Sequence, residues 1–276
     1  MIPEHPLHSA QRAEGSLLKM RTEYDRPVRY FLALGDGEIP MNDLIGRPVR
    51  LSYEGIIHCI ACGKVTRTSY GQGFCYNCLQ TAPEAGESVL QPELSRAHFG
   101  IARDMEWARE HDLIDHYVYL ALSPGLKVGV TRHHQIPVRW IDQGARAALL
   151  LAKTPNRHIA GIIEVWLKQF FSDKTNWREM LTDRTYPTSL LPEGKEKAAA
   201  LLTPELKKYL TNDQTITSID YPGSPVTAKI ESLSLDRYPV IEGELTGIRG
   251  QYLIFDRERV LNVRRHNGYV AGLSWE

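Results

Sequence analysis

The residues best placed to do chemistry in this chain are four cysteines, all within HCIACGKVTRTSYGQGFCYNC. Cys59 and Cys62 form one C-x-x-C pair and Cys75 and Cys78 a second, with twelve residues between the pairs. Two such turns on a folded-back hairpin aim four soft thiolates at one point, the shell of a structural zinc ribbon. Four sulfurs close that shell, so the metal has no open position for a substrate. A redox C-x-x-C needs no second copy in register, and a disulfide pair is unusual in a chain that lacks an export signal. His58, next to Cys59, is a substitute ligand in reserve. Gly63, Gly71 and Gly73 loosen the chain where it must turn back. Lys64 and Arg67 lie between the pairs, where they read either as nucleic-acid contacts or as solvated supports of the ribbon.

A second set of reactive residues is spread over 116–171. YVYLAL (117–122) and LKVGVT (126–131) read as two antiparallel strands joined by Ser123-Pro124-Gly125. RWIDQGARAA is an amphipathic stretch. ALLLAKT (148–154) is a short apolar run that reads as a buried third strand. RHIAGIIEVWLKQFF (157–171) has helical spacing and is expected to bury Ile159, Ile163, Trp166 and Phe170. Glu164 would lie beside that stripe, with the small Ala160 and Gly161 leaving space for a metal or substrate. The resulting order is β-β-α-β-α, and it must position Tyr119, Lys127, Arg139 and Glu164. Three of these also have a plain reading: Tyr119 as a satisfied core tyrosine, Arg139 in a pair with Asp142, and Glu164 in a pair with Lys168 four residues on. Trp140, Trp166 and Trp177 read as packing residues, and Asp173, Thr175 and Asn176 as a turn and helix cap.

This stretch resembles the GIY-YIG nuclease fold of intron homing endonucleases and of the incision subunit of bacterial excision repair. Tyr117-Val118-Tyr119 stands where Gly-Ile-Tyr would be, and Lys127-Val128-Gly129 where Tyr-Ile-Gly would be. The resemblance implies that Arg139 clamps a phosphate, that Glu164 holds Mg²⁺ or Mn²⁺, and that Tyr119 positions or deprotonates water. Lys127 replaces the second tyrosine, so it serves as a base only with a lowered pKa and otherwise as a phosphate contact. More broadly, KVGVTRHHQIPVRWIDQGA (127–145), DKTNWREML (173–181) and GIRGQYLIF (247–255) resemble an uncharacterised bacterial family, domain-of-unknown-function family 2797. That resemblance implies architecture without an activity.

The rest of the chain frames these sites. Hydrophobic residues make up 42% and charged residues 24%, ordinary for a folded soluble protein. No apolar run approaches the roughly 20 residues of a membrane span, and no secretory leader is evident, so a cytoplasmic location is expected. Lys plus Arg and Asp plus Glu both number 33. A polyanion site must therefore be local, and two clusters qualify. One is Lys127, Arg132, His133, His134, Arg139 and Arg146. The other is Arg257, Arg259, Arg264, Arg265 and His266. The first twenty residues read as a polar arm, and 94–112 as a helix.

The expected fold is α+β: a zinc ribbon and a GIY-YIG-like module flanked by β-rich N- and C-terminal segments. The expected segments are N-terminal strands at 21–56 that join the C-terminal β-layer, the zinc ribbon at 57–80, the GIY-YIG-like module at 92–184, a helical connector at 193–212, and a β-domain at 215–276. The expected function is nucleic-acid binding, to DNA or RNA, with structural zinc and metal-dependent phosphodiester cleavage. The alternative is a non-catalytic nucleic-acid or protein-interaction module on the same scaffold. A redox or metal-transfer role rests on the cysteines alone.

Overall fold

The computed structural model describes residues 11–172, 175–227 and 229–276. The chain forms two units, one of residues up to Thr22 with Arg29–Cys75 and Tyr221–Glu276, the other of Glu23–Val28 with Tyr76–Asp220. In chain order the first unit opens with β1 (Gln11–Ser16), β2 (Arg21–Glu23), β3 (Arg29–Leu34), β4 (Gly37–Pro40), β5 (Pro48–His58) and β6 (Val65–Thr66). Helices α1 (Tyr76–Thr81), α2 (Glu87–Leu90) and α3 (Met105–His111) lead into β7 (His116–Leu122) and β8 (Leu126–Arg132). Then come α4 (Val138–Asp142), β9 (Ala147–Thr154), α5 (Arg157–Leu167), α6 (Trp177–Met180), α7 (Leu190–Leu201), α8 (Pro204–Lys207) and β10 (Thr217–Ser218). The chain closes with β11 (Glu231–Leu233), β12 (Val240–Arg249), β13 (Tyr252–Phe255), β14 (Arg259–Asn262) and β15 (Tyr269–Trp275).

The first unit is built on an eight-stranded sheet in the order β1-β15-β5-β12-β13-β14-β11, with β6 paired to β5 beyond the cysteine turn. β5 alternates, burying Val49 and Leu51, and Leu51 lies opposite Leu273 on one side and Ile241 on the other. Sequence-distant segments therefore share one sheet, while β2, β3 and β4 form a separate three-stranded sheet. The polar-arm reading of the N-terminus is corrected over 11–16. These residues form an edge strand on β15, from Gln11 opposite Trp275 to Ser16 opposite Val270. Residues 1–10 lie outside the described residues.

The second unit holds a four-stranded sheet in the order β10-β9-β7-β8, with every pairing antiparallel. β7 is central and nearly wholly buried, which explains its almost unbroken apolar sequence. Val118, Leu120, Val128, Leu149 and Leu151 form its core with Ile163 and Leu167 of α5, and burying each such side chain contributes about 2 kcal/mol. Helix α5 starts at Asn156, whose side-chain oxygen accepts from Ile159 N–H at 3.0 Å.

The structure corrects two helical expectations. Over 94–112 only α3 is α-helical, capped by Asp104 accepting from Trp107 N–H; the preceding turn ends at Gly100, whose φ of 76° stops the helix. In α5 the buried face is Ala160, Gly161, Ile163, Glu164 and Leu167, whereas Ile162 and Trp166, and Phe170 beyond its end, are exposed. The space at Gly161 is also filled. A Cβ there would sit 2.1 Å from Glu93 N, so the 92–94 turn packs backbone to backbone against α5.

Sheet formation strands one titratable group. His116, at the start of β7, is fully buried; its Nδ1 contacts Ile114 O at 2.8 Å, and its Nε2 has no hydrogen-bond partner. Burial lowers its pKa from 6.5 to about 4; the Ile114 carbonyl opposes the shift and the Arg157 and Arg132 charges add to it. Below about pH 6.5 the unfolded chain takes up a proton that the folded chain refuses. His116 is therefore expected to cost roughly 3 kcal/mol of stability as the pH falls from about 6.5 to 4. Urea denaturation across that range, compared with His116→Gln, measures this; equal pH slopes in the two proteins would rule it out.

Candidate functional site

The four cysteine sulfurs come together. Cys59 sits at the end of β5, where Gly63 N–H bonds back to Cys59 O at 2.8 Å and Gly63 takes a φ of 70°. Cys59 N–H donates to Lys64 O, so the first C-x-x-C closes as a tight knuckle. Reciprocal backbone bonds between Tyr70 and Phe74 bend the chain before Cys75, and Cys78 lies in the first turns of α1. All four ligand atoms lie within 4.8 Å of one another, and none is in a disulfide.

Cys62 Sγ and Cys75 Sγ are 3.9 Å apart. Zinc–sulfur bonds of about 2.3 Å at tetrahedral angles require sulfurs about 3.8 Å apart. Burial pushes the Cys59 thiol up, but hydrogen bonds from the Cys75, Cys62 and Ala61 backbone and the Cys62 side chain bring it down to about 6. The pocket thus favours a thiolate before any metal arrives. The four cysteines are positioned to bind a metal ion, and the donor set suits structural zinc. His58 is not among them, because its Nδ1 lies 3.1 Å from Ser16 Oγ. Lys64 and Arg67 are exposed on this hairpin.

The second candidate lies within the second unit. Lys127 from β8, Arg139 from α4 and Glu164 from α5 line one cleft of about 170 Å³. Gln143, Arg157 and Lys168 complete its polar lining, and Val89, Leu90 and Pro92 form a wall. Lys127 is only 2% exposed, and its Nζ donates to Thr175 Oγ1 at 2.8 Å. Glu164 is buried, with Lys168 Nζ 3.6 Å from its Oε2. Asn176 caps α6 through Glu179 N–H, and Asp173 lies outside the described residues.

Tyr119 lies beneath this cleft and is not part of its lining. It is fully buried, and its hydroxyl donates to Gln143 Oε1 at 2.8 Å. Its ring crosses Gly129 on the next strand, where a Cβ would stand 2.6 Å from the hydroxyl oxygen. Burial raises its pKa, which the neighbouring Arg139 charge opposes. The phenol therefore keeps its proton and acts as a donor that fixes Gln143. Trp140 packs edge-on to it with ring centroids 6.0 Å apart.

The remaining basic residues are divided. Arg132 is partly buried; burial lowers its pKa, Asp112 raises it and Arg139 lowers it further. His134 is exposed, and its pKa is lowered by desolvation and by Arg132. Arg146 is committed elsewhere, bonding Asp183 Oδ1 at 3.0 Å. In the C-terminal cluster Arg259 pairs with Asp256 and His266 is buried.

Arg157 was not singled out from sequence, although one signal was present. It occupies the first helical position after the Asn156 cap, where a cation opposes the helix dipole. The carbonyls of Ser88 and Val89, at 2.6 and 2.9 Å, and Asp112 at 3.8 Å hold it there.

No helix among the described residues is long and apolar enough to cross a membrane. No curated protein and no solved structure matches this chain. Residues 46–271 match the model of one family, described as a protein of unknown function, DUF2797.

Proposed function

We propose, for a chain that belongs to the DUF2797 family, that the Lys127–Arg139 cleft binds the phosphate backbone of a nucleic acid and that the cysteine cluster is a structural zinc site. One observation carries this reading: four cations from β8, α4 and α5 gather around a single carboxylate in one concavity. Planar guanidinium groups pair with phosphate oxygens bidentately, and buried ammonium groups supply compact charge. The β-β-α-β-α order with the first strand central supports a GIY-YIG-like scaffold for residues 116–167. Arg132 and His134, outside the cleft lining, would add further contacts, and Lys64 and Arg67 a separate one.

Cleavage is the second reading, favoured by the buried Glu164 carboxylate in the cleft. The surroundings suit binding better. Lys168 stands beside that carboxylate, and Tyr119 is a buried donor. Glu164 alone is a sparse cation site, since Mg²⁺ ordinarily takes one or two carboxylates together with substrate phosphates and water.

Fluorescence anisotropy with single- and double-stranded DNA and RNA tests both readings. Arg139→Ala is expected to weaken binding of all sequences alike by roughly tenfold and to lower the salt slope by about one unit. With Mg²⁺ or Mn²⁺, Glu164→Gln should remove any cleavage while sparing binding. No binding at low salt would sink both readings, and cleavage that survives Glu164→Gln would sink the second.

A further inference from the structure

A second cleft lies behind the wall of the first. It holds about 280 Å³ and is lined by Ser88, Ser95, Arg96, Ile101, Trp107 and Asp112, among others. The two clefts share the 86–95 segment: Ser88 lines this one, Val89 lines the phosphate cleft, and Arg157 bonds the carbonyls of both. Asp112 Oδ1 is 3.8 Å from Arg157 Nε, so a carboxylate facing one cleft backs onto a cation facing the other.

Asp112 is the unusual group. It is 4% exposed, and its Oδ2 accepts from Ser95 Oγ at 2.7 Å, but its Oδ1 accepts no hydrogen bond. The Arg157 guanidinium, 3.8 Å away, offsets the charge of that oxygen but leaves it without a hydrogen-bond donor, which is costly for a buried group. Asp112 also stands at the C-terminal end of α3, where the helix dipole disfavours negative charge. A ligand N–H donor would relieve both. Trp107 and Ile101 supply flat and apolar walls, and the exposed Arg96 lies among the lining residues.

We propose that this cleft is a nucleobase pocket, taking a base by an N–H donor to Asp112 Oδ1 and by packing on Trp107. It deepens the reading of the neighbouring cleft as a phosphate site and rests on that reading for its physiological ligand. Planar nitrogen heterocycles with N–H edges fit this combination; a purely anionic ligand does not.

Two arms test it on the full chain. In saturation-transfer NMR with adenosine, guanosine, cytidine and uridine, which carry no phosphate, at least one base should receive transfer that Trp107→Ala abolishes. No transfer from any of the four, or transfer that survives Trp107→Ala, overturns the pocket. In the second arm a base-bearing oligonucleotide should bind roughly tenfold tighter than an abasic one of equal length, and Trp107→Ala should close the gap. Equal affinities overturn the pocket and leave the phosphate cleft standing. If neither oligonucleotide binds, the phosphate reading falls and the nucleoside arm alone decides the pocket. Asp112→Leu removes the acceptor and should abolish nucleoside transfer, and the partly exposed Trp107 keeps the test open if removing the partner of Arg157 unfolds the chain.

Discussion

Cys75→Ser is expected to abolish metal retention and to unfold the hairpin from His58 to Thr81. The four sulfurs lie within 4.8 Å of one another, with Cys62 and Cys75 at the separation of a tetrahedral thiolate shell, and the segment between the pairs is polar and largely exposed. It has little core of its own: of residues 59–78, only Cys59, Phe74 and Cys78 are buried hydrophobics. Metal binding must then supply most of its stability, on the order of 10 kcal/mol for such small modules. Metal analysis of purified protein and hydrogen exchange over residues 57–81 check this, and chelation of the wild type should reproduce the variant. A Cys75→Ser protein that kept stoichiometric zinc and wild-type protection would refute the assignment.

Gly161→Val is expected to destabilise the second unit by more than about 3 kcal/mol. Helix propensity alone disfavours glycine by about 1 kcal/mol, so a purely local argument predicts that a side chain here would help. The contact reverses the sign. A Cβ would meet Glu93 N at 2.1 Å and Pro92 C at 2.5 Å, and neither is a flexible side-chain end. Overpacking costs about 1–3 kcal/mol where side chains can yield and more where backbone must move. Displacing Pro92 also shifts the cleft wall, so nucleic-acid affinity should fall along with the midpoint of urea denaturation. An unchanged midpoint in Gly161→Val would show that the 92–94 turn is not packed there.

The cysteine spacing was fully legible, because a metal shell formed by two short turns is a local property of the chain. The β7–β8 hairpin was legible for the same reason: Ser123-Pro124-Gly125 marks its turn, and apolar runs flank it. The buried face of α5 was not. Its sequence is apolar on too many sides, with Ile162, Val165, Trp166 and Phe170 competing with Ile163 and Leu167, and periodicity cannot rank them. What decides is the approach of the 92–94 turn at Gly161, a contact made by residues nearly seventy positions away. Ala160 is buried in the core against the sheet. The gathering of Lys127, Arg139 and Glu164 could be proposed only through a fold resemblance, since three separate elements supply them. Arg157 and Asp112 escaped notice because their importance lies in burial, which composition does not reveal.

The sheet order of the first unit has a consequence for the protein's synthesis. β5 leaves the ribosome by His58, but both strands that flank it, β12 and β15, are translated only after residue 239. Until then β6 pairs with β5 at Ile57 and His58, and the rest of this eleven-residue strand carries unpaired hydrogen-bonding edges, the form most prone to pairing with another nascent chain. The second unit is nearly contiguous and carries its whole four-stranded sheet between His116 and Ser218, so its strands are all translated before β12 begins. A chain stalled or cleaved before β15 would retain the cation-lined cleft while β5 stayed open to aggregation. The yield of soluble protein should therefore depend on how quickly residues 240–275 are made.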